Sequence, residues 1–229
     1  MKSIALIPAR LESKRFKRKL LRELNGTPLI VKTAQNIIDF KLFEEVHVIT
    51  DSIEIKKVLN KYSISSFISK EKHQTGTDRV AEFAGNFDCD LIINIQGDEP
   101  FVEKKNLEII LNEFKNDFNK TIDVISLKKR ISTQIDIDNP NNVKVITDKN
   151  NFANFFSRCP IPYNRSKVFD QYYKHIGIYA FRKKALIEFP KMFVSEIERA
   201  EKIEALRFIY NNKKIKLLEI HNNIISIDT

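Results

Sequence analysis

The chain has 229 residues, with 39 lysines and arginines against 30 aspartates and glutamates, for a formal net charge of +9. That length suits one large domain or a domain with an appendage, and a core burying about 70% of the unfolded surface needs neither disulfides nor metal to fold. Cys89 and Cys159 have neither metal nor redox spacing, which fits a reducing, cytoplasmic setting. The opening apolar run, residues 3–7, is too short for a signal peptide and is interrupted by Pro8, Arg10 and Glu12. No apolar segment approaches the ~20 residues of a membrane span, so no membrane partner is expected. The positive charge favours anionic partners such as nucleotides, acidic sugars or nucleic acid, although dispersed lysines also fit a merely basic surface.

In chain order, residues 3–7 read as a strand, followed by a loop from Pro8 to Lys19 that is dense in cations. Apolar positions Ile30, Ala34, Ile37 and Ile38 predict a helix from Pro28, a residue suited to a first turn. Residues 46–49, 64–68 and 91–95 read as further strands, with helices over 53–61 and 77–85 between them. Thr75 or Thr77 is the expected cap of the latter helix. Residues 104–118 are strongly helical, with Leu107, Ile110, Leu111 and Phe114 on one face. This alternation predicts a parallel sheet covered on both faces.

From Ile122 the rhythm changes to strands at 122–128, 143–147, 154–157 and 172–181. A single helix is expected over 195–210, where Ser195 and Glu198 form a capping box, and strands at 215–220 and 224–227 close the chain. The organisation predicted is one domain over 1–229: a strand–helix half to about residue 120, then a smaller sheet-rich half around a site that the first half opens.

Two stretches carry chemistry. The first loop gathers Arg10, Lys14, Arg15, Lys17, Arg18 and Lys19 around Ser13, just past a strand. Backbone N–H groups and fixed cations there suit a polyphosphate. The loop is not a P-loop, because it lacks the glycine framework and the Gly-Lys-Ser/Thr ending. The second stretch is the strand end Gln96-Gly97-Asp98-Glu99-Pro100. It reads either as a polar turn or as a metal-binding aspartate at the carboxyl end of a strand, where open α/β sheets bind ligands.

Pro8-Ala9-Arg10 with Ser13, Arg15 and Lys19 resembles the signature of sugar nucleotidylyltransferases of the cytidylyltransferase kind. Seven later motifs, His73-Gln74-Thr75-Gly76-Thr77-Asp78-Arg79, Gln96-Gly97-Asp98-Glu99-Pro100, Asn142-Val143-Lys144-Val145, Phe156-Ser157-Arg158, Ile161-Pro162-Tyr163, His175-Ile176-Gly177-Ile178-Tyr179 and Glu204-Ala205-Leu206-Arg207, resemble in order the 3-deoxy-manno-octulosonate (KDO) cytidylyltransferase family. The resemblance implies an α/β, Rossmann-like, mainly parallel sheet with a smaller sheet-rich insertion. It implies transfer of CMP from CTP to KDO for lipopolysaccharide, with Mg²⁺, usually by a cytoplasmic homodimer.

The same resemblance implies the site. Arg10, Arg15 and Lys19 would hold the triphosphate, with Ala9, Ser13, Gln74, Thr75, Gly76, Arg79 and Gln96 seating the nucleotide. Asp98 and Asp228 would hold the metal, with Lys19 and Arg15 steadying the leaving pyrophosphate. Gln96, Arg158, Tyr163, Arg165, His175, Tyr179 and Glu204 would face the sugar. His175, between strand residues, also fits a purely structural role.

Three departures stand out. The first loop reads Lys17-Arg18-Lys19-Leu20-Leu21 where the family commonly has Pro-Gly-Lys-Pro-Leu. Glu204 is followed by Ala205 rather than glutamine, which implies altered recognition of the sugar tail, as for an 8-amino-8-deoxy analogue. Asp228 stands next to the final Thr229, where relatives continue, so a frayed end is expected there. Two other readings stand beside KDO transfer: a cytidylyltransferase for a sialic-acid-like sugar, and a basic nucleic-acid-binding protein. The second lacks a recognised binding motif or an aromatic-interleaved basic stripe, so nucleic acid is not the expected partner.

Overall fold

The computed structural model describes residues 1–11, 18–71, 73 and 75–221. They form two compact units. Of the described residues, the first comprises Met1–Glu108 with Ala180–Pro190; the second comprises Ile109–Tyr179 and residues 191–221.

The first unit opens with β1 (Ser3–Ala9), buried at every position. A short 3₁₀ turn (Lys19–Leu21) and a small hairpin, β2 (Glu23–Leu24) with β3 (Thr27–Pro28), lead into α1 (Leu29–Asp39). Next come β4 (Glu45–Thr50), α2 (Ile53–Lys61), β5 (Ser66–Ile68), α3 (Gly76–Ala84) and β6 (Leu91–Asn94). The strands run in the order β6-β1-β4-β5 and all their pairings are parallel. That is the expected result of strand–helix alternation, because each crossover returns the chain in the same direction. β1 sits between β4 and β6, so the strand least able to face water is covered on both edges. α1 lays Leu29, Ile30, Ala34 and Ile37 into the core, whereas Ile38, the fourth of the positions expected there, is 41% exposed one step round the helix at its end.

α4 (Lys104–Asn116) leads into the second unit and buries the expected Leu107, Ile110, Leu111 and Phe114. There follow β7 (Val124–Ile131), α5 (Gln134–Asp138), β8 (Lys144–Thr147), β9 (Ala153–Ser157) and the long β10 (Tyr172–Arg182). β10 runs back into the first unit at Ala180, where α6 (Lys183–Glu188) continues. The second unit then resumes with α7 (Glu196–Glu201), α8 (Ala205–Tyr210) and β11 (Ile215–Glu219). β7 lies between β11 and β10, parallel to β11, while β8 and β9 form an antiparallel hairpin. The buried Lys128 ties β7 to that hairpin: its Nζ donates to Thr147 Oγ1 at 3.0 Å and Asn151 Oδ1 at 2.8 Å.

The single helix expected over 195–210 is two helices, broken at Lys202 in the left-handed region with φ 54°. The cause is local. Lys202 N donates to Glu198 O at 2.7 Å and closes α7 with a left-handed cap. Ser195 caps α7 as expected, accepting from Glu198 N at 3.2 Å. The Glu198 carboxylate, however, does not reach back to close the box. It takes Arg207 Nη2 at 2.7 Å and Nε at 3.0 Å, both side chains being buried. The short α5 and α6 and the β2–β3 hairpin are not visible in the periodicity, because elements of two to six residues offer less than two full helical turns. The strand expected at 224–227 lies outside the described residues. Among the described residues no helix is long and apolar enough to cross a membrane.

Candidate functional site

In the first unit the carboxyl ends of β1, β4 and β6 carry the chemistry. Ala9 is buried at the end of β1 and Arg10 just beyond it is exposed. Arg79 of α3 is itself buried: Nη1 donates to Ala9 O at 2.8 Å and Nη2 to Asp51 Oδ2 at 2.6 Å. It thereby ties the ends of β1 and β4 to α3, so its described contact with Ala9 is through the backbone. Thr75 caps α3, accepting from Asp78 N at 3.1 Å and donating its hydroxyl to Asp78 Oδ2 at 2.9 Å. At Gly76 a Cβ would meet Pro8 Cγ at 3.3 Å and the Gln96 amide at 3.5 Å. Glycine therefore lets the start of α3 lie close to Pro8 and to the turn after β6.

The Gln96–Pro100 turn is held from below by α1. Thr33 Oγ1 donates to Gly97 O at 2.9 Å, and Asn36 Nδ2 donates to Pro100 O at 3.1 Å and Val102 O at 3.0 Å. Gly97 suits a tight place: a Cβ would fall 2.9 Å from Ile30 Cδ1 and 3.1 Å from Pro8 O, so both neighbours would have to give way. Asp98 follows with its side chain 36% exposed, and its Oδ2 lies 2.8 Å from Lys19 Nζ. Carboxylate and ammonium thus already share one place. Arg18 turns away to pair with Glu54 of α2. Beside this site, Glu82 of α3 accepts from Ser69 Oγ at 2.6 Å and Lys70 N at 3.1 Å, and bonds His73 Nε2 at 2.7 Å. It fastens the segment that precedes the Thr75 cap. These hydrogen bonds and the His73 charge lower the Glu82 pKa, prevailing over burial, the largest influence, which raises it.

In the second unit His175, Tyr179 and Glu204 come together. The His175 ring packs against Phe156 at 5.0 Å and Tyr179 at 5.2 Å between centroids. Burial lowers its pKa to about 3, so the ring is neutral. Burial also raises the Tyr179 pKa well above its usual value, and the Glu204 charge adds to that. Arg158 is engaged: Nε donates to Glu201 O at 2.7 Å, Nη1 to Pro140 O at 2.7 Å, and its N–H to Glu201 Oε2 at 2.9 Å. Tyr163 and Arg165 lie on an exposed segment. The buried Lys144 turns its ammonium onto Asn139 O at 3.0 Å and Asn142 O at 2.6 Å, at the end of α5.

Ser13, Arg15, Gln74 and Asp228 lie outside the described residues. Among the described residues no group of three or more histidine, cysteine, aspartate or glutamate side chains could hold a metal. Asp98 offers the hard carboxylate oxygen that Mg²⁺ prefers, partly exposed on the turn after β6 and already drawing a cation, which suits that ion. The sequence did not single out Thr33, Asn36, Asp51 or Glu82. For Thr33 and Asn36 the signal was there: polar residues set among the apolar positions of α1.

The cytidylyltransferase family model matches residues 4–215. The 3-deoxy-manno-octulosonate cytidylyltransferase of Christiangramia forsetii is 45% identical over 227 residues, covering 99% of this chain and 92% of that protein. The protein of that name from Flavobacterium johnsoniae is 45% identical over 230 residues, covering 100% and 94%. The solved structure of a CMP:2-keto-3-deoxy-manno-octonic acid synthetase complexed with CTP matches with a TM-score of 0.94 at 30% identity, covering 100% of this chain and 94% of that one. The Rossmann-like, mainly parallel α/β fold expected from the sequence is shared with that structure.

Proposed function

The chain belongs to the cytidylyltransferase family, and on that premise we propose that it transfers CMP from CTP to KDO or a close analogue, releasing pyrophosphate. The observation that carries this reading is the Asp98–Lys19 pair on the glycine turn after β6, in a chain that matches a CTP-bound synthetase over its whole length. The sugar's anomeric hydroxyl attacks the α-phosphorus in line, and the bond to pyrophosphate breaks. Lys19 supplies a point charge for the departing phosphates, with Arg10 and Arg15 beside it in the sequence. Asp98 and Asp228 would hold Mg²⁺, which when bound supplies positive charge for the phosphate oxygens and lowers the pKa of a bound hydroxyl. Gln96, Thr75 and Gly76 seat the nucleotide, and Arg79 acts by fixing Ala9. His175, Tyr179 and Glu204 receive the sugar, and Arg158, Arg165 and Tyr163 attend its acidic end. The enzyme works as a cytoplasmic homodimer in supply of lipopolysaccharide.

Pyrophosphate release from CTP and Mg²⁺ with a panel of acidic sugars tests this. Asp98→Ala should lower it roughly 10³-fold while the fold persists. Undiminished activity in that variant overturns the assignment of Asp98.

A finer reading concerns the sugar tail. Ala205 is fully buried after the Glu204 carboxylate, so no side-chain amide stands at that position. A carboxylate without an amide beside it suits an ammonium, as on 8-amino-8-deoxy-KDO. Comparing kcat/KM for the two sugars decides it, and a strong preference for plain KDO removes the finer reading.

A further inference from the structure

Ser126 lies in the middle of β7 with no solvent exposure, between the buried Ile125 and Leu127. Its Oγ is 2.7 Å from Ile178 O, 3.0 Å from Ile176 O and 2.8 Å from His175 Nε2. A serine hydroxyl has one proton and two lone pairs, and backbone carbonyls only accept. Were the proton given to His175, both carbonyls would face oxygen lone pairs with no hydrogen between. The arrangement that satisfies every atom sends the hydroxyl proton to the carbonyls and lets His175 Nε2–H donate to Oγ. The other ring nitrogen, Nδ1, is then an acceptor.

Among the described residues Nδ1 has no hydrogen-bond partner, and His175 as a residue is partly exposed. Phe156 and Tyr179 pack against the ring and fix its plane. Tyr179 stays protonated beside Glu204, and burial keeps His175 itself neutral.

We propose that Ser126 is a positioning residue that locks His175 as the Nε2–H tautomer, so that Nδ1 accepts a hydrogen bond from a donor group of the sugar. His175 on this account offers no positive charge to the sugar's carboxylate. The role rests on the sugar-binding reading of His175 given above. It also sets a specificity rule: the sugar must carry a hydroxyl or ammonium at that point.

Long-range ¹H–¹⁵N correlation spectra of the labelled full chain without ligand test the lock, with His175 assigned by the peaks lost in His175→Asn. The expected result is a protonated Nε2 and a bare Nδ1 between about pH 5 and 8. Ser126→Ala should give mixed tautomers and raise the KM for the sugar roughly tenfold, leaving the KM for CTP unchanged. Ser126→Thr, which restores the hydroxyl, should recover the single tautomer. A wild-type spectrum with Nδ1–H or an imidazolium overturns the proposal. So does a Ser126→Ala chain that keeps both the tautomer and the sugar KM. If Ser126→Ala does not fold, the wild-type spectrum decides alone. A wild type that shows the lock yet transfers CMP to no acidic sugar sinks the functional reading and leaves the lock standing.

Discussion

Asp98 and Lys19 in the first unit meet as charges at 2.8 Å, with side chains 36% and 15% exposed. In the second unit His175 and Tyr179 are desolvated far enough that each keeps its neutral form. The two regions use burial differently. In the first, neutral groups, the buried Thr33 and the half-buried Asn36, hold a backbone turn so that charged groups can stay near water. In the second, burial acts on the functional groups themselves and leaves them as directed donors and acceptors. Phosphates need compensation of charge, whereas a polyhydroxylated sugar needs hydrogen-bond direction.

The sharpest way to break the comparison is through the buried pair that braces the second unit. Arg207→Ala leaves Glu198 buried without its guanidinium and should cost about 4 kcal/mol of stability, read by chemical denaturation. A cost near zero would mean that the bend at Lys202 does not depend on the pair. In the first unit, Gly97→Ala forces a Cβ against Ile30 and Pro8 O. It should cost about 2 kcal/mol and also lower kcat, because the displaced turn carries Asp98. Loss of stability with kcat intact would separate the turn from the chemistry.

The third effect is one of pH and is spread over a window rather than felt at neutral pH. Unfolded His175 takes up a proton near its ordinary pKa of about 6.5, whereas the folded chain resists until about pH 3. In that window the unfolded state binds more protons, so stability falls as pH drops from about 6.5 towards 3. The slope from this group is about 1.4 kcal/mol per pH unit at most. His175→Asn should flatten the acid side of the stability profile, and an unchanged profile would mean the ring is not desolvated.

Much of the first unit could be read from the sequence because β1 and β6 are buried throughout and its main helices run nine to eleven residues. The runs at 3–7 and 91–95 and the stripe Ile30, Ala34, Ile37 report burial directly. The Gly97 turn was visible as a strand end followed by Gly, Asp and Pro. What the pattern hid were polar residues inside apolar runs. Ser126 sits between Ile125 and Leu127 and reads as one more strand residue; only the neighbouring β10 carbonyls and His175 give its hydroxyl a role. Arg79 was expected to seat the nucleotide, and its burial against Ala9 and Asp51 could not be read from the helix pattern. The break at Lys202 was missed because the apolar stripe continues through Ile203 and Leu206 across it.

The left-handed residue at Lys202 has a consequence for engineering. Lys41, Lys120 and Lys167 also adopt positive φ, while Gly26 alone of the five glycines does so. A lysine in that region carries a steric cost of about 1 kcal/mol that glycine avoids. The chain therefore holds unspent thermal headroom at its helix ends and turns, open to modest gains without touching either cluster of functional side chains.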